Sequence, residues 1–91
     1  MILNGHDHDY ERFAPMDPDG QLDPASGIRE FIVGTGGANL TRRLRVARHS
    51  EIWTRDYHGL LELTLRRDSY DWRFIAAETD QVIDSGRGTC H

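Results

Sequence analysis

Residues 59–77 read GLLELTLRRDSYDWRFIAA, and their alternation sets the architecture. Leu61, Leu63 and Leu65 fall on one side of an extended chain and Leu60, Glu62, Thr64 and Arg66 on the other, which is the period-2 pattern of a half-buried strand. Arg67, Asp68 and Ser69 supply a turn. After it, Tyr70, Trp72, Phe74 and Ala76 alternate with Asp71, Arg73, Ile75 and Ala77. The two runs are predicted to pair over 59–66 and 70–77 as an antiparallel hairpin that sets an aromatic face beside a leucine face. Tyr70, Trp72 and Phe74 have the spacing of packing residues rather than of a ligand box.

Outward from the hairpin the signals shorten. Downstream, residues 81–84 read as a short edge strand, followed by a loose tail through Gly86, Arg87 and Gly88 to Cys90 and His91. Upstream, residues 39–49 are polar and Arg-rich. Leu40, Leu44 and Val46 fit neither a helical nor a strand period, so the stretch reads as an irregular connection. Residues 28–33 form a strand that ends in a glycine corner at Gly34, Gly36 and Gly37. That corner lacks the full pattern of a phosphate-cradling loop and reads as a tight strand exit. Residues 14–27 hold Pro15, Pro18 and Pro24 among Asp, Ser and Gly, which is turn chemistry and predicts a surface loop or loose hairpin without helix. Met1 to Asn4 is a short apolar run, compatible with a buried strand.

Composition bounds the function. A chain of 91 residues with a formal charge of −4, 37% hydrophobic residues and one cysteine fits a single small domain and excludes a multidomain enzyme. No run approaches the roughly 18 apolar residues of a membrane helix, and no signal-peptide pattern opens the chain, so neither is expected. All 11 basic residues are arginine. The net acidity argues against a general nucleic-acid binder, and the cluster of Arg42, Arg43, Arg45 and Arg48 has no interleaved aromatic platform, so it reads as a solvated connection.

The densest chemistry follows the opening run: Gly5-His6-Asp7-His8-Asp9-Tyr10-Glu11-Arg12. In an extended segment, imidazoles at i and i+2 point to the same side with Cα atoms about 6–7 Å apart, so both reach one metal or one each of two adjacent metals. Asp7 would face the opposite side, and Gly5 would let the backbone turn tightly beneath the pair. By spacing alone the pair is equally two solvated histidines at a strand end.

This block resembles the GHxH motif followed by YER of the calcineurin-like metallophosphoesterases, most closely the branch similar to purple acid phosphatases. The segments Phe31 to Ala38, Tyr57 to Leu65, Tyr70 to Phe74 and Asp84 to His91 look like the C-terminal end of secreted bacterial phosphoesterases of that branch. The resemblance implies an α/β parent with an αββα sandwich, of which this chain is a C-terminal, mainly β portion with irregular loops. It implies His6 and His8 as metal ligands, one to each ion of a dinuclear centre of iron, zinc or manganese. Asp7 then supports the ligands or the loop and Asp9 either does the same or is a solvated turn residue, while Tyr10, Glu11 and Arg12 brace the loop rather than touch substrate, Arg12 and Glu11 as an ion pair with Tyr10 packed over it. The implied substrate is a phosphate ester and the implied location secreted or extracytoplasmic, with Cys90 paired to a cysteine elsewhere in the parent. Nucleic-acid and membrane partners are not implied.

The chain departs from the family in one respect. The motifs DxG, GDxxY, GNH and VxxH, which would supply the remaining ligands, are absent from these residues. His49, His58, His91 and Cys90 offer no second cluster at ligand spacing, and His58 reads as an ordinary surface or strand-start residue. The length therefore reads as that of a fragment, inactive alone. The competing reading is a small all-β binding module with vestigial histidines, self-associating through exposed leucine and aromatic faces.

Overall fold

The computed structural model describes residues 1–41 and 47–90. Arg42, Arg43 and Arg45 of the arginine cluster, Leu44 and Val46 of the expected connection, and His91 lie outside them. The described residues form strands β1 (Ile2–Asn4), β2 (Tyr10–Phe13), β3 (Glu30–Val33), β4 (Ser50–Thr54), β5 (Gly59–Leu65), β6 (Ser69–Ala76) and β7 (Val82–Thr89), with no helix among them. One sheet has the order β1-β3-β2-β4 and the other β5-β6-β7.

The predicted antiparallel hairpin is present, as β5 and β6. Leu61 lies opposite Phe74, Leu63 opposite Trp72 and Leu65 opposite Tyr70, so the leucines and aromatics share a face. Tyr70, Trp72, Phe74 and Ala76 are buried on that face. The reverse face carries charge, with Arg73 paired to Glu62 and both Arg66 and Arg87 paired to Asp71. The loop over 14–27 contains turns and isolated bridges from Met16 to Leu22 and Ile28, and the Asp17 carboxylate accepts the main-chain N–H groups of Asp19 and Gln21, the expected turn chemistry.

Two readings are corrected, and one strand is added. The opening run is a strand but not a buried one: β1 is an edge strand parallel to β3, with Ile2 47% and Leu3 52% exposed. A three-residue edge strand has a neighbour on only one side, so apolar composition alone does not bury it. β4 lies where no strand was expected, because Ser50 to Thr54 is too short to show a clear alternation and is specified by pairing with β2. The tail expected to be loose is instead the second half of β7, paired along β6 from Val82 opposite Ile75 to Thr89 opposite Ser69. Glycine reads as flexibility in a sequence, but here it makes room. A Cβ at Gly86 would overlap the Trp72 indole and one at Gly88 the Tyr70 ring. The large aromatics of β6 thus lie across a strand that has no side chains at those positions.

The sheets pack face to face. Tyr10 stacks on Phe74 with ring centroids 4.1 Å apart and planes 8° from parallel, and Phe31 meets Trp72 edge-on at 5.3 Å. The polar centre of this interface is Asp84. Its carboxylate accepts hydrogen bonds from the Tyr10 hydroxyl (2.6 Å), Arg12 Nε (2.8 Å) and Trp72 Nε1 (3.2 Å), and Arg12 donates a further one of 3.1 Å to its other oxygen. Arg12 also pairs with Glu51 at 2.5 Å, and Glu51 pairs with Arg29. The guanidinium carbons of Arg12 and Arg29 lie 5.2 and 5.0 Å from the centre of the Trp72 ring, within cation–π range. Burial by itself would raise the Asp84 pKa, but the hydrogen bonds from Arg12 and Tyr10, the Arg12 charge and the Trp72 bond outweigh it and hold the carboxyl below its ordinary value. Burial, then the hydrogen bond and charge of Asp84, hold the Tyr10 phenol well above its ordinary value.

Two outcomes follow. Asp84→Asn leaves Arg12 without its buried counter-charge and is expected to lower stability at pH 7 by about 3 kcal/mol in urea denaturation. Because the folded carboxyl has the lower pKa, its contribution is complete above about pH 4 and fades as pH falls through the folded value. The gap between wild type and variant therefore closes in acid, and a gap that stays constant down to pH 2 would contradict the assignment. Gly86→Ala is expected to cost about 1–3 kcal/mol through overpacking against Trp72, measured in the same way.

Candidate functional site

The histidine loop owes its position to strand order. β1 and β3 run parallel while β2 lies on the far side of β3, so residues 5–9 must cross the C-terminal end of β3 to pass from β1 to β2. This carboxyl edge of parallel strands is where open sheets commonly place ligands. The crossing is tight. Gly34, just beyond β3, donates its N–H to the Asp9 carbonyl at 3.0 Å, and a Cβ on Gly34 would overlap the Asp7 carbonyl oxygen. Glycine is required there because two backbones meet.

The loop is not the extended segment that the spacing argument assumed. Residues 6–9 bend, His6 takes a left-handed φ of 78°, and Asp9 N–H bonds back to the Asp7 carbonyl at 2.9 Å. His6 makes the left-handed turn in place of Gly5, a conformation open to histidine more than to most side chains. Strand alternation therefore does not govern where the two rings point.

His6 and Asp7 are exposed. His8 is half-buried and held at three points: its N–H donates to Thr41 Oγ1 (2.8 Å), its carbonyl accepts the Thr41 N–H (2.8 Å), and its ring Nδ1 lies 2.7 Å from the Asn39 carbonyl oxygen. A carbonyl only accepts, so Nδ1 carries the proton, and in the neutral ring the Nε2 lone pair stays available. Metal-binding imidazoles are oriented in this way. Among the described residues no three His, Cys, Asp or Glu side chains cluster as a metal site. His8 is thus oriented in the way a liganding imidazole is, and His6 lies exposed on the same loop.

The remaining residues of the block lie inward. Asp9 is fully buried rather than a solvated turn residue, and it accepts a 2.8 Å hydrogen bond from Trp53 Nε1 on β4. Tyr10 and Glu11 are fully buried in β2. Tyr10 and Arg12 serve the Asp84 centre, so the ion pairs of Arg12 run to Asp84 and Glu51, which the local sequence did not suggest. Neighbouring strand residues face opposite sides, which sends Arg12 to partners on other strands. His58 stands directly before β5, as a strand-start residue would, but its Nε2 also lies 2.9 Å from the Ala38 carbonyl, which the sequence did not suggest. A bond to a backbone carbonyl leaves no trace in side-chain composition. Cys90 is exposed with a free thiol.

No known protein-family model and no curated protein sequence matches the chain. Among solved structures, a purple acid phosphatase from seeds of yellow lupin (Lupinus luteus) superposes with a TM-score of 0.80 over 93% of this chain, at 23% sequence identity. The chain has the fold of a purple acid phosphatase segment. It spans 16% of the length of that phosphatase. The part of this chain with that fold comprises the two packed sheets described above.

The close approach at Gly34 yields a test. Gly34→Ala is expected to displace the loop, costing about 1–3 kcal/mol and shifting the amide resonances of residues 6–9 in a two-dimensional NMR spectrum while those of β5 to β7 stay in place. Unmoved loop resonances would contradict the packing described.

Proposed function

We propose that the chain is part of a metal-dependent phosphoesterase and contributes His6 and His8 to a dinuclear metal centre whose other ligands lie outside these residues. The observation that carries this reading is the single orientation of the His8 ring. Its Nδ1 proton is committed to the Asn39 carbonyl, so Nε2 is presented as a donor on a loop at the carboxyl edge of two parallel strands. The purple acid phosphatase fold supports the same reading.

A pair of metal ions in such a centre supplies charge neutralisation for a phosphate ester and a water of lowered pKa as nucleophile. The part of this chain is to bind and orient. His6 and His8 are neutral ligands, so they leave more positive charge on the ions than further carboxylates would. Gly34 and the Asp9 carbonyl hold the loop against the end of β3. Asp9, bonded to Trp53, anchors the exit of the loop in the interior, and Tyr10 and Arg12 tie the strand that follows to the second sheet through Asp84. The metals would be transition ions such as iron, zinc or manganese. The secreted or extracytoplasmic setting of the resembling proteins is proposed for the parent protein as well.

Calorimetric titration with zinc tests the reading. The wild-type chain is expected to bind zinc, and His6→Ala or His8→Ala to weaken binding at least about tenfold, as loss of one of few ligands should. The chain alone is expected to hydrolyse p-nitrophenyl phosphate no faster than zinc in buffer. Unchanged zinc uptake by the double variant would remove the histidines from the site. Turnover by the isolated chain would show that the remaining ligands are not needed.

A further inference from the structure

We propose that His58 is a positioning residue for His8, acting through the glycine-rich segment between them. The inference rests on the reading of His8 as a metal ligand and concerns a residue on the other sheet.

Two imidazoles hold consecutive carbonyls of one loop. His58 Nε2 lies 2.9 Å from the Ala38 oxygen and His8 Nδ1 lies 2.7 Å from the Asn39 oxygen. Each acceptor is a carbonyl, so each ring nitrogen is the donor. The two carbonyls belong to successive peptide groups that meet at the Asn39 Cα, so the peptide group held by His58 anchors the backbone from which the acceptor of His8 projects. What happens at Ala38 therefore reaches His8.

Gly36 and Gly37 bring no side chain to the loop, which is tied beyond Asn39 by the two Thr41 hydrogen bonds to the His8 main chain. Gly36 and Gly37 follow Thr35, Gly37 has a φ of 146°, and a Cβ at either position would meet nothing within 4 Å. Glycines without packing neighbours have a wide choice of backbone conformations. Before them the chain is pinned at Thr35, whose hydroxyl donates to the Gly59 carbonyl (2.9 Å) and whose carbonyl accepts the Gly59 N–H (3.0 Å). After them, the next hydrogen bond across to the second sheet is that of His58.

His58 is itself well anchored. Its carbonyl accepts the Ala77 N–H at 2.8 Å, and Gly59, the next residue, opens β5 opposite Ala76. It is thus part of the rigid end of the β5–β6 hairpin, whereas His8 sits on a loop of the first sheet. Through Ala38 and Asn39 the second sheet sets the tautomer of a ligand carried by the first. Groups that orient a liganding imidazole typically contribute 10–100-fold to metal affinity. One peptide removed, His58 is expected to contribute about tenfold.

The test uses the full chain with 15N-labelled histidine, and its first readout needs no metal. In the wild type, His8 is expected as a single Nδ1–H tautomer by imidazole nitrogen shifts. His58→Ala and His58→Phe, which remove the donor, are expected to give a tautomer mixture at His8. His58→Gln, which keeps a side-chain N–H donor, is expected to restore the single tautomer. Zinc affinity is expected to follow the same order, with an approximately tenfold loss in His58→Ala and His58→Phe and recovery in His58→Gln. The Tyr10–Phe74 stack, followed by near-ultraviolet circular dichroism, reports whether each variant is folded. A single Nδ1–H tautomer at His8 in folded His58→Phe overturns the proposal, as does failure of His58→Gln to recover what His58→Ala loses. If zinc binding survives loss of His6 and His8 while the tautomer still follows His58, the metal assignment fails and the coupling stands.

Discussion

The carboxylate of Asp84 is the point at which the two sheets are tied together. It comes from β7, and its hydrogen bonds run to Tyr10 and Arg12 on β2 and to Trp72 on β6. A buried carboxylate with fewer donors would be driven towards its neutral form. With the four hydrogen bonds it accepts here it stays ionised and fixes three large side chains relative to one another. The Tyr10–Phe74 stack and the Phe31–Trp72 contact then pack around it. Dispersion and apolar burial would bring such faces together in several sheet offsets, whereas this set of directional bonds is satisfied in one. Gly86 and Gly88 belong to the same constraint, because the indole and phenol can approach β7 only where no Cβ stands in the way.

Control of the histidine loop passes through this interface from both sides. On the first sheet, the loop delivers the chain into β2, whose first residue, Tyr10, is bonded to Asp84. On the second, His58 at the start of the hairpin reaches over to the glycine corner that carries the acceptor of His8. The insertion of β3 between β1 and β2 makes the crossing necessary, and Gly34 makes it sterically feasible. The loop is thus placed by strand order, with backbone acceptors of its neighbouring glycine-rich segment bonded from both sheets.

Much of the second sheet was legible in the sequence, because a hairpin is local. Leu61 with Phe74 and Leu63 with Trp72 are near neighbours in the chain, and period-2 alternation with an intervening turn is enough to pair them. The histidine block was legible as chemistry for a different reason: its residue types and order resemble a known motif. Its geometry was not. The alternation rule presupposed an extended backbone, and the left-handed φ at His6 broke that premise. The partners of Asp9 and Arg12 were also out of reach, since Trp53 and Asp84 lie 44 and 72 positions away. No local pattern encodes contacts at that separation.

The sequence by itself determined the hairpin, the turn-rich loop over 14–27, the glycine corner and the presence of two adjacent imidazoles. Each of these is set by residue-level preferences: side-chain alternation, the fixed φ of proline, the freedom of glycine, and imidazole basicity. The tertiary structure decided the rest. It made a strand of a glycine-containing tail, left the apolar opening run exposed at a sheet edge, buried Asp9 and Asp84, and selected the ring nitrogen of His8 that holds the proton. These outcomes depend on hydrogen-bond acceptors and packing partners that come together only when the two sheets close, and a backbone carbonyl such as that of Asn39 has the same identity in every residue until the fold gives it a direction.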